Sequence, residues 1–316
     1  MTCSTLRVKD KLDCVMSISS KYVVVVTNPY GDRRRRKMKV FRTTDSVELL
    51  EVDAIGFVTA FLEKDFLLMR GEKENGKGRI RSVWDLSRRT PIKVHDQEEP
   101  RVRGPDVYDK FRKEIFSSDG QHYYGKKLRL DQRGKLIADE QKPLDNVVCF
   151  SDSLYITKDG SMMMLNGNKY NQVANLRGES FEISPDVKRI VSVSKGRQNH
   201  IRISVWSSDD GSLLHEDQHQ LPGDCRSFGH NKPSFKINEK FVLVALTRQP
   251  DEIPCLLAYH LDKLVAGKPE PKCLVLDQMG PLYEAPQLEV EGNLATVAGK
   301  ANYENVVKHL NINLDF

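Results

Sequence analysis

The sequence has no long apolar segment, and this absence argues against a membrane-spanning protein. Its apolar runs, such as YVVVVT at Tyr22–Thr27, are about six residues long, far fewer than the roughly 18 that a spanning helix needs. The first 13 residues contain no apolar stretch of the kind found in secretory signals. Asn-x-Ser/Thr acceptors are absent too, and the six cysteines never form a Cys-x-x-Cys pair. These absences predict a soluble protein of the cytoplasm, the nucleus or both, with reduced thiols.

Convincing long amphipathic helices are equally absent, and the periodicity of the chain is that of strands. Short apolar or alternating runs such as RIVSVS, IRISVW and FVLVAL recur, and turn signals such as Ser-Asp-Asp-Gly separate them. The 316 residues are 39% hydrophobic and 29% charged, with a net charge of +5. An all-β protein with a sizeable core is therefore expected.

A repeated unit organises these strands. Residues 181–216 read as four strands with a Ser-Pro-Asp turn after the first, a Trp at the end of the third and an Asp-Gly turn before the fourth. This unit resembles a WD-repeat, the four-stranded blade of a β-propeller. Residues 57–94 form a second such unit, which carries the literal pair Trp84-Asp85. Trp84 and Trp206 are 122 residues apart, which equals three repeats of about 41 residues.

The position at the end of the third strand can be followed through the whole chain. The resemblance implies a single seven-bladed propeller over residues 1–316, with four antiparallel strands in each blade. The last blade lacks a fourth strand, so the N-terminal segment, residues 5–10, is expected to complete it and leave no open seam. The seven third-strand positions are Phe41-Arg42, Trp84-Asp85, Leu130-Asp131, Leu165-Asn166, Trp206-Ser207, Leu261-Asp262 and Leu314-Asp315.

One motif suggests a zinc enzyme. The string HEDQH at His215–His219 matches the His-Glu-x-x-His signature of zinc peptidases, which requires a helix to bring both His to one ion. Within the repeat, however, His215 ends a fourth strand and His219 lies in the following loop. In a strand, residues i and i+4 are about 13 Å apart, too far to share a metal. A looser site from His215, His219, Cys225 and His230 is the remaining metal hypothesis, and neither is favoured.

Other catalytic and targeting motifs are weak. Residues 71–78, GEKENGKG, approach a phosphate-binding loop, but Gly78 stands where Ser or Thr is needed and a strand follows instead of a helix. Lys73-Glu74-Asn75 matches a KEN degradation box, a three-residue pattern that is common by chance. Ser/His/Asp and paired-carboxylate arrangements are not found at usable spacings. The protein is therefore expected to be non-catalytic and to need no metal or cofactor.

Basic loops are the strongest candidate for function. By the resemblance, the loops between second and third strands and those between blades share one face, which commonly binds partners. A solvated hairpin or a nuclear import signal is the alternative for residues 33–37. The candidate binding residues are Arg33, Arg34, Arg35, Arg36, Lys37, Lys73, Lys77, Arg79, Arg103, Lys195 and Arg197.

Two classes of function follow from this face. The first is a scaffold or adaptor that binds a partner protein or peptide, acidic or phosphorylated, and that could act as a subunit of a larger complex such as a ubiquitin ligase. The alternative is a propeller that binds nucleic acid, RNA in particular, through the same basic face, although aromatic residues are few among those charges.

Overall fold

The computed structural model divides the chain into two compact units, each built from strands. Residues 1–116, 120–143 and 296–311 form the first unit, and residues 117–119, 144–295 and 312–316 form the second. No helix in the described part of the chain has the length and apolar character that a membrane crossing requires. The structure describes residues 2–29, 31, 36–63, 65–72, 78–100, 115–116, 123–125, 128–130, 136–138, 147–150, 154–166, 169–196, 199–223, 225–227, 234–282, 286–301 and 305–315.

Twelve strands of the first unit precede residue 143. The run YVVVVT is buried at all six positions, as expected of a strand covered on both faces and rich in β-branched residues. The strands are β1 (Thr2–Arg7), β2 (Leu12–Ile18), β3 (Tyr22–Thr27), β4 (Arg36–Arg42), β5 (Glu48–Glu63), β6 (Phe66–Glu72), β7 (Gly78–Asp85), β8 (Ile92–Pro100), β9 (Ile115–Phe116), β10 (Tyr123–Gly125), β11 (Leu128–Leu130) and β12 (Leu136–Ala138).

The second unit has the same character and adds two short helical turns. The strand FVLVALTR is buried at seven of its eight positions. The elements are β13 (Val147–Phe150), β14 (Leu154–Thr157), β15 (Ser161–Asn166), β16 (Lys169–Asn175), β17 (Ser180–Ile183), β18 (Arg189–Lys195), β19 (His200–Ser207), β20 (Leu213–Gln220), β21 (Cys225–Ser227), β22 (Phe235–Ile237), β23 (Phe241–Arg248), β24 (Ile253–His260), α1 (Leu261–Val265), β25 (Lys272–Val275), a 3-10 turn (Asp277–Met279) and β26 (Gln287–Glu291).

Antiparallel pairing arranges these strands, with β27 (Leu294–Lys300) and β28 (Val306–Asn313), into six sheets. Four of them are four-stranded: β9 to β12, β13 to β16, β17 to β20, and the order β1-β28-β27-β26. A fifth sheet has the order β21-β23-β24-β25, with β22 also paired to β23. The sixth runs from β2 to β8, and its long strand β5 pairs with β4 through residues 48–54 and with β6 through residues 55–63. The all-β prediction and the predominance of four-stranded antiparallel sheets are thus confirmed.

The N-terminal strand completes the sheet of the C-terminal strands, as the sequence predicts. β1 pairs antiparallel with β28, from Thr2 opposite Asn311 to Arg7 opposite Val306. The strand begins at Thr2, three residues before the predicted start at residue 5. This pairing gives β28 a partner on each side, so its backbone groups are not left as an open edge.

The predicted third-strand positions coincide with the ends of real strands. Strands β4, β7, β11, β15 and β19 end within the pairs assigned from Phe41-Arg42 to Trp206-Ser207. The two remaining pairs begin one residue after β24 and β28 end. The predicted positions therefore lie at the end of a strand in five cases and directly after one in the other two.

The HEDQH string lies on strand β20. Two details of the prediction are wrong, because His215 is the third residue of this strand and not its end, and His219 is inside the strand and not in the loop after it. The strand continues because β19 offers backbone partners as far as His200, which is opposite Gln220. His215 and His219 are therefore separated by four strand residues, about 13 Å, and cannot bind the same ion. Likewise, a strand, β7, follows the GEKENGKG segment.

Candidate functional site

Most of the predicted basic face lies outside the described residues. That is so for Arg33, Arg34, Arg35, Lys73, Lys77, Arg103 and Arg197, and also for His230 and the KEN sequence. Arg79 is placed only by its backbone, which pairs with Glu72 at the start of β7. Arg36, Lys37 and Lys195 are described with their side chains. The proposal that these loops share a binding face stays a prediction.

At the start of β4, basic side chains are matched by carboxylates. The Nε atom of Arg36 lies 2.9 Å from Oδ2 of Asp13, although neither atom makes a hydrogen bond, so the contact is an ion pair without hydrogen-bond geometry. Lys37 forms an ion pair with Glu51, its neighbour on β5. Basic side chains paired with carboxylates contribute less to the electrostatic potential at the protein surface than unpaired basic side chains do.

Lys39 is the centre of this ion-pair group. Its side chain is buried, and its Nζ atom lies 3.1 Å from Asp10, 3.2 Å from Glu48 and 2.8 Å from Glu51. Burial by itself would lower the pKa of Lys39, but hydrogen bonds to the three carboxylates outweigh burial and raise it. The pKa of Glu51 is lowered, chiefly by its hydrogen bond with Lys37. The group fixes the first residues of β4 and leaves a buried charge that is fully paired.

Lys195 ends β18, where backbone bonds hold the turn into β19. Its N–H donates to Oε2 of Glu179 at 3.3 Å, and the N–H of Gly196 donates to the carbonyl of His200 at 2.7 Å. Asn199 adopts a left-handed conformation with φ +63°, which Asn tolerates better than most residues. The base of this predicted binding loop is thus well fixed.

An open groove runs beside the N-terminal strand. Its volume is about 1000 Å³, and residues 5–8, 46, 305, 306 and 308 line it. Pairing of β1 with β28 creates it, because Thr5 stands opposite Lys308 and Arg7 opposite Val306. The carboxamide oxygen of Asn305 accepts a hydrogen bond from the N–H of Leu12 at 2.9 Å, which anchors the loop before β28. Both walls are therefore held by backbone pairing.

The groove is basic. Arg7 and Lys308 are the charged residues of its lining, and its described lining contains no carboxylate. The Nζ atom of Lys308 donates to Oγ1 of Thr5 at 3.2 Å, so these two lining residues are in contact across the strand pair. Two cations, two hydroxyl groups (Thr5 and Ser46) and an amide offer donors for a carboxylate or phosphate. The groove suits an acidic or phosphorylated segment.

Sequence reasoning missed Arg7 and Lys308. They are separated by 301 positions in the chain, and neither belongs to a basic run or a loop. The only available signal was the predicted pairing of the N-terminal strand with the last blade, whose register the sequence does not specify.

Three cysteines form a second group that the spacing does not show. The Sγ atoms of Cys225, Cys255 and Cys273 all lie within 4.8 Å of one another. All six cysteines of the chain are reduced in the structure. The three thiols could bind a metal ion, in contrast to HEDQH.

The comparisons with known proteins concern the fold. No protein-family model matches the sequence, and no match is found among the curated proteins. Among solved structures, the β-propeller domain of the Trilobed protease from Pyrococcus furiosus is similar, with a TM-score of 0.54 at 11% identity over 97% of this chain and 95% of that one. An uncharacterised protein from Listeria monocytogenes has a TM-score of 0.55 at 9% identity, covering 94% and 90% of the two chains. A chain of the mitotic checkpoint complex gives 0.53 at 11% identity, covering 98% and 94%. These likenesses show a fold of the β-propeller kind.

Proposed function

We propose that this chain is a non-catalytic interaction scaffold that binds an acidic or phosphorylated segment of a partner protein. The groove beside β1 carries this proposal, because it combines two cations with hydroxyl and amide donors and has no carboxylate among its described lining residues. Arginine forks and ammonium groups are the usual means of recognising phosphate or carboxylate groups in peptides.

The proposed architecture is a seven-bladed propeller of the WD-repeat type over residues 1–316. Dividing the long strand β5 between its two partners gives two four-stranded groups, β2 to β5 and β5 to β8. The five other sheets each supply one further group, which supports seven. Propellers expose loops at the ends of many strands around one body, an arrangement suited to holding partners.

Membership of a larger assembly is part of the proposal. A chain of similar fold belongs to the mitotic checkpoint complex, and that likeness supports a propeller acting as one subunit among several. A role as the substrate-recognition subunit of a ubiquitin ligase fits the same picture. We place the protein in the cytoplasm, the nucleus or both.

The groove and the predicted loop can be separated by charge reversal. One variant carries Arg7→Glu with Lys308→Glu, and the other carries Arg34→Glu with Arg35→Glu. Acidic peptides and their phosphorylated forms serve as probes, with binding measured by fluorescence anisotropy. The groove variant is expected to weaken binding at least tenfold, because each lost charge-assisted hydrogen bond is worth roughly 1.5–3 kcal/mol.

Arg88→Glu with Arg89→Glu is the matched control, since it changes the charge equally at exposed residues of the β7–β8 turn. Unchanged affinity in the groove variant, with loss in the loop variant, would move the site to the basic loops. Equal loss in all three would mean that only net charge matters. An RNA oligonucleotide tests the alternative: steep, sequence-independent weakening with salt, together with no peptide binding, would favour the nucleic-acid function.

A further inference from the structure

The cysteine group of the second unit is produced by strand pairing. Cys225 is on β21, Cys255 on β24 and Cys273 on β25, and these strands belong to one sheet. Cys255 stands opposite Val275 and Cys273 opposite Leu257, so the two are diagonal neighbours on one face of the sheet. Cys225 stands opposite Arg248, two residues from Leu246, which stands opposite Cys255. Because side chains alternate along a strand, all three thiols point to the same face.

The distances suit one metal ion. Zinc–thiolate bonds are about 2.3 Å, so three sulfur ligands of one ion lie roughly 3.8–4.0 Å from each other. The three Sγ atoms are already within 4.8 Å of one another. Closing the remaining gap requires at most about 1 Å of movement, which is within the reach of thiol rotation.

The surroundings favour an ion that is enclosed but reachable. Cys225 and Cys255 are buried, whereas Cys273 is exposed. A metal ion could therefore enter from the side of Cys273, and its fourth position would face solvent. With three protein ligands, zinc would take a water molecule as its fourth ligand to complete its usual tetrahedral coordination.

The ligand type selects the class of metal. Among the described residues, this group consists of thiols without a carboxylate or imidazole, and soft sulfur ligands prefer zinc and copper(I) over magnesium or calcium. Three thiolates with Zn²⁺ leave a net charge of about −1, whereas copper(I) leaves about −2, and burying the smaller charge is less unfavourable. Zinc is therefore the better match for a half-buried site.

We propose that Cys225, Cys255 and Cys273 form a three-thiolate zinc site. Thiols must lose their protons to bind zinc as thiolates, so zinc affinity is expected to rise with pH.

The test uses the full chain, stripped of metal with a chelator under reducing conditions. Titration with Zn²⁺ against a chromophoric chelator is expected to show one tightly bound ion per chain. Cadmium added in place of zinc should give the ultraviolet absorption of cadmium–thiolate bonds. Each of Cys225→Ser, Cys255→Ser and Cys273→Ser should weaken zinc binding at least about 100-fold, since losing an outer partner of a ligand already costs 10–100-fold.

Two control variants locate the ion. Cys3→Ser with Cys14→Ser and Cys149→Ser removes the other three thiols and should leave zinc affinity unchanged. His215→Ala with His219→Ala should also leave it unchanged. Cys273→Ser is the decisive variant, because the side chain of Cys273 is exposed. Without metal, the thermal unfolding of this variant should therefore match that of the unsubstituted protein.

Three outcomes would refute the site. One is the absence of stoichiometric zinc binding by the original chain. Another is unchanged affinity in Cys273→Ser. The last is ready oxidation of two of the three thiols to a disulfide, seen as a loss of two mass units, in a chain that binds no zinc.

Discussion

The two tryptophans occupy equivalent places in the repeat, yet they are held differently. Trp206 is 7% exposed, and its indole N–H donates to Ser192 Oγ at 3.0 Å. Trp84 is half-buried, and its indole N–H donates at 3.3 Å to Ser82, two residues earlier on its own strand. Lys93 stands over the Trp84 ring, with Nζ 5.2 Å from the centroid. The indole N–H of Trp206 thus links two neighbouring strands, whereas that of Trp84 bonds within its own strand.

One residue on the neighbouring strand explains the difference. Trp206 is opposite Ile190 and Trp84 is opposite Leu67. Two positions further along, the second strand carries Ser192 in one sheet and Met69 in the other. Methionine has no hydroxyl group, so Trp84 cannot make the cross-strand bond.

Ser192 also connects its sheet to the segment before it. Its hydroxyl donates to the carbonyl of Arg177 at 2.7 Å. Gly178 permits this approach, because a Cβ there would lie 2.5 Å from the Cβ of Ser192. A single buried hydroxyl thus satisfies a donor and an acceptor, which is how polar groups are tolerated in a core.

The largest effect should come from removing each tryptophan. Trp206→Ala is expected to lower the free energy of unfolding by about 4 kcal/mol, through the lost packing of a buried ring. Trp84→Ala should cost roughly half as much, because its ring is only half-buried. Urea unfolding followed by the fluorescence of the remaining tryptophan measures both. Equal losses would show that the two sites are not different in energy.

The imidazole of His309 is a buried ring that, unlike the indole of Trp206, has a ring nitrogen without a hydrogen-bond partner. His309 on β28 is 3% exposed and its Nε2 has no hydrogen-bond partner, and burial lowers its pKa from 6.5 to about 4. Between these values the unfolded chain binds a proton that the folded chain does not, so stability falls as pH drops. The expected loss is about 2 kcal/mol between pH 7.5 and pH 5.

Unfolding at several pH values, compared with that of His309→Leu, checks this expectation. The leucine variant has no imidazole to protonate and should lose less stability on acidification. Parallel curves for the two proteins would assign the pH dependence to other groups.

The serine that makes the difference can be tested directly. Ser192→Ala leaves the Trp206 N–H and the Arg177 carbonyl without this partner and should cost about 2 kcal/mol. Ser82→Ala should cost less than about 0.5 kcal/mol, since the half-buried Trp84 can bond to water instead. Ser192→Thr keeps a hydroxyl and serves as the control in the same unfolding experiment. Identical costs for the two alanine variants would contradict the explanation given for the two sheets.

The smallest effect concerns the cation over Trp84. Lys93 stands opposite Trp84, whereas Leu213 stands opposite Trp206. Lys93→Leu makes the first pair resemble the second and should cost about 0.5 kcal/mol or less. Fluorescence of Trp84 in a Trp206→Phe background should respond to salt only while Lys93 is present. A response that persists in Lys93→Leu would point to another charge.

Local pattern was sufficient for much of the fold. Runs such as YVVVVT become strands because their side chains fill both faces of a sheet. The same logic argued against a helix at HEDQH, and it identified the N-terminal segment as the partner of the last strand. The end of β20 was misjudged, because it depends on how far β19 continues beside it and not on the residues of β20.

Which side chains of distant strands come into contact depends on the register of strand pairing, and no local sequence pattern specifies that register. A shift of one residue would turn Cys255 away from Cys273 and Lys308 away from Thr5, because side chains alternate between the two faces. The sequence by itself determined that this chain forms strands, roughly where most of them lie and that its two ends pair. Only the tertiary structure decided which side chains meet: three thiols from three strands, and two cations from opposite ends of the chain.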